Sequence, residues 1–328
     1  MKTTILITCI HINAIAGFAA VNFDMAIVGD IGNPAYAAPQ GDFGSVPYQY
    51  SISKHEVTTT QYAEFLNAVA KTDTHSLYSN GMQTDGSLNG IQRTGSSGSF
   101  VYMPTAGHEN RPISFVSFWD ATRFANWLSN GQPTGSQSAA TTEDGAYTLG
   151  GVTNPSNLSV TRNTINPNTG SAAGLYFIPS EDEWFKAAYY NSATSSYYLY
   201  PTASDIQPIA ENPPGGTNSA NYGTPGSTFT AVGAYENTLS PYGLYDMAGN
   251  AWEYNEGIVS TTNRSFRGSS NGDMGNSNLT RDFQNNGNAS LDLREVGFRV
   301  SQVPEPQTWA IFSGLVAFGL AWIRHRRS

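Results

Sequence analysis

The sequence predicts an α+β domain with little regular secondary structure, on three observations. Three short stretches join a helix-capping pattern to apolar residues at helical spacing. Between them, above all over 79–110 and 129–174, the chain is rich in Gly, Ser, Thr and Asn and reads as loops with short strands. A length of 328 residues suits one large domain or two ordinary ones. No internal repeat is evident, and the Gly/Ser-rich stretches read as surface excursions of a single domain over residues 20–301.

Residues 1–19 have the make-up of a secretory signal. Lys2 is the only basic residue, an apolar stretch broken by His11 and Asn13 follows, and Gly17-Phe18-Ala19 puts small side chains at −3 and −1 of a cleavage site. The first helix opens at Thr58-x-x-Gln61, with Tyr62, Phe65, Leu66 and Val69 on one face. Ser117-x-x-Asp120 opens the second; Ala121, Phe124, Ala125 and Leu128 share its face, and Asn130-Gly131 stops it. Ser180-x-x-Glu183 opens the third, backed by Trp184, Ala187 and Ala188. The aromatic residues of these helices are expected in the core.

The C-terminal segment, 302–328, has three parts. Val303-Pro304-Glu305-Pro306 precedes an uncharged apolar run from Trp309 to Ile323, and Arg324-His325-Arg326-Arg327 follows. Such a run, at about 1.5 Å rise per residue, spans roughly 22 Å of a hydrocarbon core about 30 Å thick. Trp309, Trp322 and the arginines can make up the shortfall at the interfaces. The tail resembles the PEP-CTERM sorting signal of Gram-negative bacteria, with Pro304, Glu305 and Pro306 as its sorting residues. That resemblance implies an exosortase-type processing protease and a transient stay in the inner membrane. The alternative is an ordinary membrane helix, and both place residues 20–303 outside the cytoplasm.

The chain has a net charge of −9, and its middle is more acidic still, because Lys2, Arg324, Arg326 and Arg327 lie in the two end segments. This argues against nucleic acid or an anionic membrane surface as partner and favours cations. The single cysteine, Cys9, lies in the signal-like segment, so an exported domain has no disulfide. No Gly-x-Gly spacing is present for a phosphate-binding loop. His55, His75 and His108 are far apart and lack metal-ligand spacing.

The most informative run is Gly243-Leu244-Tyr245-Asp246-Met247-Ala248-Gly249-Asn250-Ala251-Trp252-Glu253-Tyr254. Its two carboxylates flank small residues whose carbonyls lie open, so Asp246 and Glu253 could wrap a hard cation. The same turn could equally be a buried, aromatic-packed loop. Three further blocks occur in order: Ile52-Ser53-Lys54-His55-Glu56-Val57-Thr58, then Arg111-Pro112-Ile113-Ser114-Phe115-Val116-Ser117-Phe118-Trp119-Asp120-Ala121, then Ile178-Pro179-Ser180-Glu181-Asp182-Glu183-Trp184. Gly297-Phe298-Arg299-Val300 closes the chain's match. Together they resemble the formylglycine-generating, or sulfatase-modifying-factor, family.

The resemblance implies a C-type-lectin-like variant fold. It also implies a calcium site at Asp246, Glu253 and the carbonyls of Gly249 and Ala251, and a second site of which only Asn221 and Tyr222 are represented. Family members that make formylglycine hold copper with a cysteine pair, and here Asp273 and Asn278 stand about where those thiols fall. Neither is a soft thiolate able to select Cu(I), so copper is not expected. Arg267, Ser269, Ser270, Asp273 and Arg281 would line the family's substrate groove, unless the arginines simply make ion pairs. The expected function is a non-catalytic, calcium-stabilised binding or structural module for a protein or glycan, at the cell surface or in the extracellular matrix. The rival is a formylglycine-generating-type oxidase or related oxygenase acting on exported proteins.

Overall fold

A computed structural model describes residues 20–151, 160–223 and 228–303. The signal-like segment, the sorting residues Pro304, Glu305 and Pro306, and the apolar tail lie outside the described residues. Among the described residues no helix is long and apolar enough to cross a membrane.

All three expected helices form where their caps place them. Helix α1, Thr59–Val69, starts at a reciprocal box: the Gln61 N–H donates to Thr58 Oγ1 at 3.2 Å, and the Thr58 N–H donates to Gln61 Oε1 at 2.9 Å. A single turn, α2, Gly81–Thr84, follows. Ser117 and Asp120 close the same box on α3, Phe118–Ser129. Ser180 and Glu183 close it on α4, Glu181–Tyr189. Glu181, Asp182 and Glu183 all sit in the first turn of α4, where the helix dipole favours negative charge.

The strands are two to seven residues long, too short to show a period in sequence. Trp252–Ile258 is central to a four-stranded sheet, antiparallel to Asn263–Arg267 and parallel to Val296–Gly297, with Asn285–Asn288 at the far edge. A second sheet is built around Tyr50–Ser53, flanked antiparallel by Met25–Val28 and Ser301–Gln302. The two ends of the domain therefore meet on one strand.

Helices α1 and α3 pack through Tyr62, Phe65, Phe124 and Trp127, and Phe298 stands edge-on to Phe124 at 5.4 Å. Burying each such ring stabilises by about 1.5–3 kcal/mol. A second cluster gathers Trp184, Phe185 and Tyr189 of α4 against Tyr50 and Tyr197. Between α4 and the four-stranded sheet, Arg162 joins Glu183 at 2.6 Å to Glu256 at 2.9 Å and lies over the Phe177 ring.

Candidate functional site

The loop Gly243–Tyr254 is held by close backbone contact. Gly249 has φ +79°, and a Cβ there would run into the Asn221 carbonyl, so glycine is required. Asn250 beside it is a hub. Its Oδ1 accepts from the Asn221 side chain and from Thr230 N–H, and its Nδ2 donates to Glu56 at 3.2 Å. Tyr245 stacks on His55 with centroids 4.8 Å apart.

Glu253 corrects the cation expectation. Its carboxylate is fully buried and accepts from Arg299 Nε and Nη2, both at 2.5 Å, and from Trp184 Nε1 at 2.7 Å. Arg299 continues to the Ser53 and Tyr245 carbonyls. Asp246 accepts from the Gly233 N–H at 2.6 Å instead of facing an open site. Gly249 lies against the Asn221 backbone, and the buried Ala251 donates its N–H to Glu56. The second reading of this run, a buried aromatic-packed loop, is the one realised. The Arg299 guanidinium donates to both Glu253 oxygens, so in this arrangement that carboxylate is not open to a cation. Among the described residues no group of three or more His, Cys, Asp or Glu side chains could hold a metal.

The centre of this loop is short of positive charge. Glu56, Asp246 and Glu253 surround one arginine. Burial first, and then the Asp246 and Glu253 charges, push Glu56 well above the usual carboxylate range. Burial pushes Asp246 up to about 6. Arg299 is held fully charged, because Glu253 more than offsets its own burial.

Asn221 and Tyr222, expected as part of a second site, are tied up in the fold. Asn221 donates to the Thr228 carbonyl and to Asn250, and the Tyr222 hydroxyl donates to the Pro208 carbonyl at 2.6 Å.

The expected groove divides into three places. Arg267 is fully buried, pairs with Glu181 at 2.8 Å and packs against both the Phe43 and Phe185 rings, so it is a core arginine. Arg281 lies over Tyr36 and donates to the Tyr197 carbonyl. Ser269, Ser270 and Asp273 do come together. Asp273 Oδ2 accepts from both hydroxyls and from the Ser270 N–H. Ser270 Oγ also lies 2.7 Å from Glu295 Oε2, a partner that sequence reading missed. One hydroxyl proton cannot serve two carboxylates at once. The Ser270 hydroxyl therefore turns between Asp273 and Glu295 or splits its one hydrogen bond between them.

Gly268-Ser269-Ser270-Asn271-Gly272 also has the Gly-x-Ser-x-Gly spacing of a nucleophile elbow. It follows a strand but opens no helix, and carboxylates rather than a histidine flank the buried Ser270. The spacing is therefore not an elbow.

A family model described as "Sulfatase-modifying factor enzyme 1-like domain" matches residues 32–303. The chain belongs to that family. Its fold is similar to that of CarF, at 18% identity and TM-score 0.52, over 86% of this chain and 99% of that one. It is also similar to Treponema denticola variable protein 1, at 18% identity and TM-score 0.51, over 88% and 98% of the two chains. At such identity the likeness concerns the fold alone. No curated protein matches the chain.

In this sulfatase-modifying-factor-like domain a cleft of about 850 Å³ opens beside Asn221 and Tyr222. Glu109 and Arg111 line one side, and Glu211, Tyr222, Phe229 and Tyr235 line the others. The Arg111 guanidinium makes no ion pair with a described residue, and burial lowers its pKa. Among the described residues no carboxylate claims it.

Proposed function

We propose that this sulfatase-modifying-factor-like domain is a non-catalytic binding module at the cell surface or in the extracellular matrix. Its ligand, a protein or glycan bearing an acidic group, would sit against Arg111. The observation behind the non-catalytic part is position 273, where a carboxylate tied to Ser269 and Ser270 stands about where the family's enzymes place a thiol. A hard oxygen donor does not suit Cu(I). With Glu253 committed to Arg299, calcium has no part in this reading. Incubated with oxygen, copper and a sulfatase-motif peptide, the purified protein is expected to leave the peptide cysteine unchanged. Copper-dependent turnover lost in Asp273→Ala would make it an oxidase instead. Binding of an acidic oligosaccharide or acidic peptide should weaken at least tenfold in Arg111→Ala; equal binding would remove the cleft from the reading.

The export route is part of the same proposal and rests on the two end segments of the sequence. Replacing Pro304-Glu305-Pro306 by alanines should leave the tail uncut and the protein in the inner membrane. Maturation to the wild-type mass and location would reduce the tail to a plain anchor.

A further inference from the structure

The two-residue strand Ile209–Ala210 pairs in parallel with Ser219–Ala220, and among the described residues no strand pairs with its other edge. Ile209 gives its N–H to the Asn218 carbonyl. Bonding sides alternate along a parallel ladder, so Ala210 turns its N–H and carbonyl to the outer edge. Both residues are exposed. An open strand edge of this kind is a template for another extended chain.

Ala210 and its register partner Ala220 both line the Arg111 cleft, so that face of the strand pair looks into it. Ile209 points to the opposite face, because side chains alternate along a strand. It is 59% exposed, and Ile206 and Met274 are 74% and 70% exposed. The Gln207 side chain ties their segments together, accepting from Asn276 Nδ2 at 2.5 Å and donating to the Tyr222 hydroxyl at 3.0 Å. Large apolar side chains gathered at the mouth of a cleft mark an interaction surface.

Arg111 supplies the charge. Its carbonyl accepts from the Thr59 N–H at 2.8 Å, which pins its backbone to the start of α1. Its side chain is half-buried against the cleft, and burial alone lowers its pKa. Glu211 is engaged, its Oε1 accepting from the Gly216 N–H and the Ser219 hydroxyl, and Glu109 stays exposed on the rim. Arg111 thus stands among acids, on a chain of net charge −9, which suits one carboxylate and repels a run of them. A uronic-acid polymer is disfavoured on that ground, and its hydroxyls gain nothing from exposed isoleucines.

We propose, on the binding-module reading of this cleft, that the partner is a protein whose extended segment adds as a third strand along Ile209–Ala210. An acidic side chain of that segment meets Arg111, and its apolar neighbours, facing the other way, cover Ile206, Ile209 and Met274. The test is titration calorimetry of the full chain with a capped Val-Glu-Val-Ser-Val peptide and two N-methylated forms. One form is methylated at the valines, the other at Glu and Ser. The plain peptide and one methylated form should bind alike, and the other form at least tenfold more weakly, because only alternate N–H groups face the edge. Arg111→Ala should weaken the plain peptide at least tenfold, and so should Ala210→Pro, which removes the edge N–H. A melting curve checks Ala210→Pro, and the methylated pair decides alone should it unfold. Equal binding of the two methylated forms overturns the proposal, as does undiminished binding in Arg111→Ala or in folded Ala210→Pro. A galacturonate oligosaccharide that binds through Arg111 while the peptide does not leaves the cleft a binding site and overturns the strand addition. Binding of neither probe overturns both.

Discussion

Replacing Arg299 by alanine is expected to destabilise the domain by about 3–5 kcal/mol, because it leaves a buried carboxylate without its partner. The guanidinium is fully buried and donates to Glu253 through two nitrogens and to two backbone carbonyls. Without it, three carboxylates remain together with no positive charge. For a domain of this size the melting temperature should fall on the order of 10 °C. Lysine should not restore it, since a single ammonium cannot reproduce the two-pronged contact. The loss should also be smaller at pH 5 than at pH 8. Glu56 and Asp246 already have raised folded pKa values, so their stability contribution falls as pH rises past the unfolded value, and removing the arginine steepens that fall. A change under about 1 kcal/mol by chemical denaturation would refute this account.

The second large effect is expected at Glu183. Its buried carboxylate accepts from Arg162 at 2.6 and 2.8 Å, from the Tyr48 hydroxyl at 2.9 Å and from the Ser180 N–H at 2.8 Å. It serves at once as helix cap, ion-pair partner and sheet contact, so Glu183→Ala should cost about 3–5 kcal/mol. Burial alone would raise its pKa, but the Arg162 charge and the hydrogen bonds outweigh it and hold the carboxyl below the usual range. The sign follows. The contribution is fully present above the unfolded value near 4.5 and is lost as pH falls through the lower folded value. Wild type should therefore lose stability on acidification below about pH 4, and Glu183→Gln should show a flatter acid limb. Equal acid limbs in urea titrations from pH 2 to 7 would contradict it.

What could be read from sequence was local. The helix starts were legible because a capping box places both partners three residues apart, and Thr58, Ser117 and Ser180 each made the predicted contacts. The two-residue strands were not, since nothing so short shows alternation. At the candidate site, Asp246 and Glu253 were legible as paired carboxylates, but the partner that Glu253 takes in the fold was not. The guanidinium that claims Glu253 comes from 46 residues downstream, and no spacing rule reports such a partner. For Arg267 the alternative of an ordinary ion pair is the one found, but its partner Glu181, 86 positions away, could not be named from sequence. Glu295 was missed because only the fold brings it to Ser270.

The meeting of the Met25–Val28 and Ser301–Gln302 strands on Tyr50–Ser53 sets a timetable for folding. Arg299 reaches Ser53 across 246 positions, and Phe298 completes the aromatic cluster around Phe124. A ribosome adding about 5–20 residues per second needs roughly 12–50 s to supply those last residues after the first strand has emerged. Through that interval the Tyr50–Ser53 edge lacks the strand that will cover it, and the ring faces of α1 and α3 lack their lid. Folding of this domain cannot finish behind the advancing chain. It has to wait until Phe298 and the Ser301–Gln302 strand have been made.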